Sequence, residues 1–179
     1  GITLDLGYAY TPLTDGSVLG FVDVPGHEKL IHNMLAGATG IDYVLLVVAA
    51  DDGPMPQTRE HLAVLDLLVV RQGAVVLSKI DRVDAARGAA VAAQVADLLQ
   101  DTALAGAPQF ALSALTGEGL PALRDQLAQW QRTWRPRSTA GGFRLVIDRC
   151  FTQPGAGVVV TGTVLSGTAR PIAAYDNAL

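Results

Sequence analysis

Two short stretches carry residue types that could do chemistry. Residues 23–28, Asp-Val-Pro-Gly-His-Glu, close an apolar stretch at 18–24 that reads as a strand. An aspartate at a strand end can hold Mg2+, usually through water, because that ion sheds its hydration shell reluctantly. Gly26 lets its backbone N–H approach a terminal phosphate where a side chain would block it. His27 can orient a water for attack on that phosphate, since phosphoryl transfer needs mainly positioning and charge stabilisation. Residues 78–81, Ser-Lys-Ile-Asp, follow a second apolar stretch. The stem of Lys79 can lie along a purine face. The carboxylate of Asp81 can accept two N–H bonds from a guanine edge, a pair of donors that adenine lacks. Thr3 and the segment Ser113-Ala114-Leu115 join the set. Taken singly, each has a plainer use as a turn, a helix start, a cap or an exposed ion pair. The set becomes informative through its order and through where its members fall. In doubly wound folds, ligands bind at the carboxyl ends of the strands, and these segments are expected on one such rim.

The elements that must position them follow from hydrophobic periodicity. Residues 2–10 alternate apolar and polar and read as a strand. Asp15-Gly16 is a hairpin turn signal, and 18–24 is the returning strand. Residues 27–35 are expected to be helical. Residues 43–49 form a continuous β-branched apolar run, the pattern of a strand buried on both faces in a parallel sheet. Residues 51–57 form a turn-rich loop whose Asp51-Asp52 pair is most simply solvated. Helices are predicted over 58–68, with Leu62, Leu65, Leu68 and Val69 on one face, and over 85–100, with a Val91, Val95, Leu98, Leu99 stripe. Short strands are predicted at 74–77 and 109–112. A last helix over 121–130 carries Leu120, Leu123, Leu127 and Trp130 on one side, with Pro121 in its first turn. Strands alternating with helices argue an α/β domain with a mostly parallel sheet. Residues 133–142 read as a linker. Beyond it two strands meet at a turn around Pro154-Gly155 with no helix between them, as an all-β module begins. His32 and His61 are expected on helix surfaces, and Cys150 is expected to pack as a small hydrophobe.

Bulk properties exclude several classes. The chain has 179 residues, half of them hydrophobic, and a net charge of −4. No broad basic field exists to hold nucleic acid by charge alone. One cysteine gives no disulfide framework, which fits a reducing cytoplasm and also a cysteine-poor secreted protein. The apolar run at 43–50 is far short of the roughly 18 residues of a membrane span. The start at Gly1 has neither an initiating Met nor the charged and apolar pattern of a signal peptide. The chain reads as cut at both ends.

The ordered set resembles the GTP-binding domain of translational GTPases. "GIT" (1–3) looks like the end of their switch I, "DVPGHE" (23–28) like switch II, "SKID" (78–81) like the guanine motif and "SAL" (113–115) like the loop behind the base. "DDGPMPQTREHL" (51–62) is a further family stretch. Within that family the residues at 2–10, 20–42 and 144–167 resemble selenocysteine-specific elongation factors. The resemblance implies a G domain of P-loop GTPase type over 1–132, a linker at 133–142 and the start of an elongation-factor β-barrel at 143–179. It implies GTP and GDP as ligands, with Mg2+ held by Thr3 and, through water, by Asp23. Gly26 would contact the γ-phosphate and His27 would position the hydrolytic water on the ribosome. Lys79 and Asp81 would read guanine with Ser78, Ser113 and Ala114. It also implies a monomeric cytoplasmic factor that delivers selenocysteyl-tRNA to the ribosome and reads a selenoprotein mRNA hairpin through C-terminal domains. It implies no membrane partner.

Two departures qualify that picture. The phosphate-cradling pattern Gly-x-x-x-x-Gly-Lys-[Ser/Thr] does not occur among these residues. In the resembled family it lies upstream of switch I and supplies most of the phosphate grip. The 179 residues alone are therefore expected to bind nucleotide very weakly and to be inactive. The strand preceding that loop is central in the family's sheet. Without it, the strands at 18–24 and 74–77, or their neighbours, are expected to face an unfilled slot and the chain to fold poorly. The second departure is Ser78, where the guanine motif usually opens with Asn or Thr; tuned affinity rather than loss is expected. Two other readings stay open: a non-enzymatic, degenerate G-like module, and another elongation factor Tu-like GTPase.

Overall fold

The computed structural model describes residues 7–13, 16–24, 41–68, 70–135 and 138–170. Thr3, Gly26, His27, the expected helix at 27–35 and the first half of the strand expected at 2–10 lie outside them. The chain divides into two compact units, Gly1–Trp134 and Arg135–Leu179.

In the first unit, strands β1 (Gly7–Pro12) and β2 (Val18–Asp23) form an antiparallel hairpin, with Tyr8 opposite Val22 and Tyr10 opposite Gly20. Its turn is closed by the Leu13 N–H donating to Ser17 O at 2.8 Å, with Gly16 at φ +83°. Strands β3 (Val44–Ala49), β4 (Gly73–Ser78) and β5 (Gln109–Ala111) form a second, parallel sheet in the order β3-β4-β5. Three helices connect or follow them: α1 (Pro56–Leu67), α2 (Ala85–Leu99) and α3 (Leu120–Thr133). Helix α1 begins two residues before the predicted Thr58. Pro56 is preset for a first turn, and the Thr58 hydroxyl accepts the Met55 N–H at 3.1 Å. Asp84 caps α2, its carboxylate accepting the Arg87 N–H at 2.7 Å.

The apolar alternation of the strands divides the core into two layers. On one face Leu46, Val48, Val75 and Leu77 pack with Leu62 of α1 and with Val91, Val95 and Leu99 of α2. On the other, Val76 meets Leu112 and the α3 residues Leu123 and Leu127, against which Leu19 and Phe21 of β2 and Leu45 of β3 also pack. Helix α3 is thus the shared floor under the hairpin and the parallel sheet. Gln131 of α3 adds a side-chain bond to the Ser17 hydroxyl at 3.2 Å.

The slot expected beside 18–24 and 74–77, or their neighbours, does not fall at β4 itself, which is paired to β3 on one side and β5 on the other. Among the described residues, β3 is hydrogen-bonded only to β4, and β2 only to β1. Nor is β3 buried on both faces. Leu46 and Val48 are buried, but Val47, which points to the α3 side, is 59% exposed.

In the second unit, β6 (Arg144–Gln153) and β7 (Gly157–Ser166) pair antiparallel about a turn with Gly155 at φ +81°. Register shifts at 144/145 and 147/149 bend the ladder. Among the described residues no second layer covers this two-stranded ribbon, and Phe151, Val158 and Val160 are exposed. Cys150, expected to pack as a hydrophobe, is exposed as well.

Candidate nucleotide site

Because β3, β4 and β5 run parallel, their carboxyl ends share one rim. The guanine-type segment Ser78-Lys79-Ile80-Asp81 leaves β4 there, and Ser113-Ala114 leaves β5. The two segments are stitched together: the Leu112 N–H donates to Leu77 O at 2.9 Å and the Ile80 N–H to Leu112 O at 3.4 Å. Ser113 is fully buried. Its hydroxyl accepts the Thr116 N–H at 3.2 Å, and its carbonyl accepts the Gly117 N–H at 2.9 Å. This closes a tight loop and leaves Ala114 exposed at its outer turn. Gly119, at φ +77°, ends that loop where a Cβ would collide with the Ala111 carbonyl, so only glycine lets α3 start so close to β5.

Lys79 stands at the centre. It has φ +59° and ψ 34°, the left-handed region, and is the one non-glycine there among the described residues. A bulky residue in that region is uncommon, and such outliers gather at ligand sites. Asp81 follows on a short 3-10 turn, Ile80–Arg82, and is exposed to solvent.

The loop after β3 completes the rim. Asp51 is not simply solvated. Its carboxylate instead receives the Lys79 ammonium at 3.1 and 3.2 Å, while Asp52 receives it at 3.4 Å. The Arg82 guanidinium lies 3.5 Å from Asp51 Oδ2. Arg87, one turn into α2, donates to the backbone carbonyls of Asp51 and Asp52 at 3.1 and 3.2 Å and so clamps the loop from behind. Asp51 follows the end of a buried strand, the placement that singled out Asp23 and Ser78, and that signal could have found it.

The pair shifts both titrations. Desolvation alone would raise the Asp51 carboxyl, but the Lys79 hydrogen bond and charge, with the Asp52 amide, outweigh it and hold it below the usual 3.8. The hydrogen bond to Asp51 raises Lys79 above the usual 10.5 against some desolvation. A lowered carboxylate stabilises the fold above its unfolded value and loses that contribution as pH falls through the folded one. A raised lysine stabilises below its unfolded value and loses it as pH rises through the folded one. The stability difference between the parent and Asp51→Asn is therefore expected to be flat from about pH 5 to about pH 9 and to shrink outside that window. Urea titrations across pH check this.

Asp23, by contrast, ends β2 in the hairpin sheet, opposite Gly7, and is exposed. Pairing does not bring it into the β3-β4-β5 rim. The structure thus assembles Ser78, Lys79, Asp81, Ser113 and Ala114, and adds Asp51, Asp52 and Arg87.

A parallel α/β layer with a Ser-Lys-x-Asp turn and a buried serine loop on one rim is the arrangement of a GTPase-type G domain. The chain belongs to the elongation factor Tu GTP-binding domain family, whose description matches residues 1–133. Within that family it is similar to selenocysteine-specific elongation factors. It is 54% identical over 170 residues to the one from Escherichia coli and 49% identical over 170 residues to the one from Desulfomicrobium baculatum. Each match covers 95% of this chain, which spans 27% of the length of either relative. The crystal structure of a bacterial selenocysteine-specific elongation factor superposes with a TM-score of 0.82 at 30% identity, over 93% of this chain and 28% of that one. Elongation factor SelB from Methanococcus maripaludis, solved with the GTP analogue GppNHp, superposes at 0.83 and 32% identity, over 92% of this chain and 36% of that one. These findings bear out the resemblance drawn from the motifs.

Proposed function

We propose that the protein carrying this chain is a GTP-switched elongation factor that delivers selenocysteyl-tRNA to the ribosome. The observation that supports it most is the Lys79–Asp81 turn set against the buried Ser113 loop, in a chain 54% identical to a selenocysteine-specific factor. Lys79 supplies a stem for the purine face, and Asp81, exposed on its turn, accepts the guanine N–H pair. Ser78 and the Ser113-Ala114 loop frame the base edge. Asp23 fits Mg2+ in the manner that ion prefers, as a single exposed strand-end carboxylate acting through water. No cluster of three or more candidate ligands exists among the described residues, so a directly ligated metal cage is not what they offer. Thr3 joins Asp23 at the metal, and Gly26 meets the terminal phosphate. His27 orients the attacking water. The γ-phosphate orders the switch segments and its loss releases them.

The domain plan we propose is a G domain over 1–132, a linker at 133–142 and the start of a β-barrel at 143–179. The factor works as a cytoplasmic monomer, and none of the described helices is long and apolar enough to cross a membrane. Reading of the selenoprotein mRNA hairpin belongs to domains other than these residues.

The test uses the natural full-length protein with fluorescent GDP and unlabelled competitors, followed by protection of aminoacyl-tRNAs from hydrolysis. GTP and GDP should compete and ATP should not, and the GTP form should protect selenocysteyl-tRNA over other aminoacyl-tRNAs. Failure to bind guanine nucleotide would remove the switch. Equal protection of all aminoacyl-tRNAs would leave a general elongation factor.

A further inference from the structure

We infer that Asp51 is a positioning residue for the nucleotide: it holds the Lys79 side chain extended, so that a purine meets a lysine stem already in place. The inference rests on the guanine-site reading above and extends it to the loop after β3.

The geometry carries it in three steps. Lys79 is constrained at its backbone by a left-handed conformation at the end of β4. It is constrained at its far end by three carboxylate contacts, two of them to the oxygens of Asp51. A four-carbon stem fixed at both ends has lost most of its rotamer freedom before any ligand arrives. A base that stacks on it then orders little further, which is how preorganisation raises affinity. A free lysine would have to be ordered by the base itself.

Asp51 is itself held. Its side chain is 26% exposed against 60% for Asp52. Its backbone is gripped by Arg87, and the Ala50 and Gly53 N–H groups fix the turn by donating to Ser78 O and Ala49 O at 2.8 Å each. Gly53, buried at φ +81°, takes the left-handed turn that L side chains rarely adopt. The charged groups around the ammonium are Asp51, Asp52 and, through Asp51, Arg82. Asp52 and Arg82 are the more exposed, so Asp51 is the principal anchor.

Ordering the stem favours any purine, whereas the choice of base belongs to Asp81. Removing the anchor should therefore weaken binding without changing selectivity, a signature that a collapsed loop would not produce.

The experiment measures GDP and IDP affinity in the natural full-length protein and in Asp51→Ala, Asp51→Asn, Asp51→Glu, Lys79→Met and the Asp51→Ala/Lys79→Met pair. Asp51→Ala and Asp51→Asn should weaken GDP by about threefold to tenfold, with an unchanged GDP-to-IDP ratio and partial rescue by Asp51→Glu. In the Lys79→Met background Asp51→Ala should add nothing. An equal loss in both backgrounds, or a changed ratio, would show that Asp51 only supports the loop and would overturn the inference. So would unchanged affinity in the isosteric Asp51→Asn. A parent that binds neither nucleotide would instead defeat the guanine-site reading itself, and this inference with it.

Discussion

Asp81→Asn is expected to move base preference from guanine to xanthine, with GTP affinity falling by about a hundredfold or more. The argument starts from charge. A carboxylate accepts two N–H bonds from the guanine edge, and hydrogen bonds to an ionised acceptor are about twice as strong as neutral ones. An asparagine keeps one acceptor and turns the other position into a donor, which then faces a guanine donor. Xanthine presents a carbonyl oxygen in that place, and the amide can donate to it. The structure makes this a local experiment. Asp81 lies exposed on the Ile80–Arg82 turn, outside both core layers, so the substitution should leave folding intact. Competition between GTP and XTP for the full-length protein checks the result. Unchanged selectivity would take Asp81 out of base recognition.

His27→Ala should separate binding from hydrolysis. A histidine that orients a water touches the transition state and not the bound nucleotide, so GTP affinity is expected to stay within about twofold. Ribosome-stimulated hydrolysis is expected to fall by about a hundredfold or more, the usual reach of a positioned acid–base group. Single-turnover hydrolysis with saturating ribosomes reads the second quantity, and equilibrium nucleotide binding reads the first. Equal hydrolysis by mutant and parent would remove His27 from the role.

The Asp51–Lys79 anchor would act earlier, on the ordering of the site. The three substitutions therefore have separable signatures. Asp51→Ala should lower affinity for guanine and hypoxanthine nucleotides together. Asp81→Asn should invert base choice. His27→Ala should spare binding and slow turnover.

Much of the fold was legible because local rules and tertiary packing agree. The β-branched run ending at Ala49 fell in the predicted strand, and the capped stripe of Val91, Val95 and Leu99 and the Leu123–Leu127 face of α3 fell in the predicted element and on the predicted side. The place of the Ser78–Asp81 turn was legible for a local reason: the apolar strand ends at Ser78 and polar residues follow it. Where prediction failed, the missing quantity was what lies beside an element. Val47, from its apolar run, and Cys150, from its residue type, are both expected in a core. Their exposure depends on whether a layer covers that face of β3 and of β6, which periodicity along one strand does not encode.

What the sequence by itself determined is thus the order of elements and the identity of the groups at their ends, because both depend on residues near in the chain. What only the tertiary structure decided is which ends meet. Asp51 and Lys79 are 28 residues apart, and nothing local pairs them. They meet because β3 and β4 run parallel in a register that sets Ala49 against Ser78, so that the residues just beyond each strand emerge side by side. A shift of that register would part the carboxylate from the ammonium, and register is settled by the packing of whole strand faces.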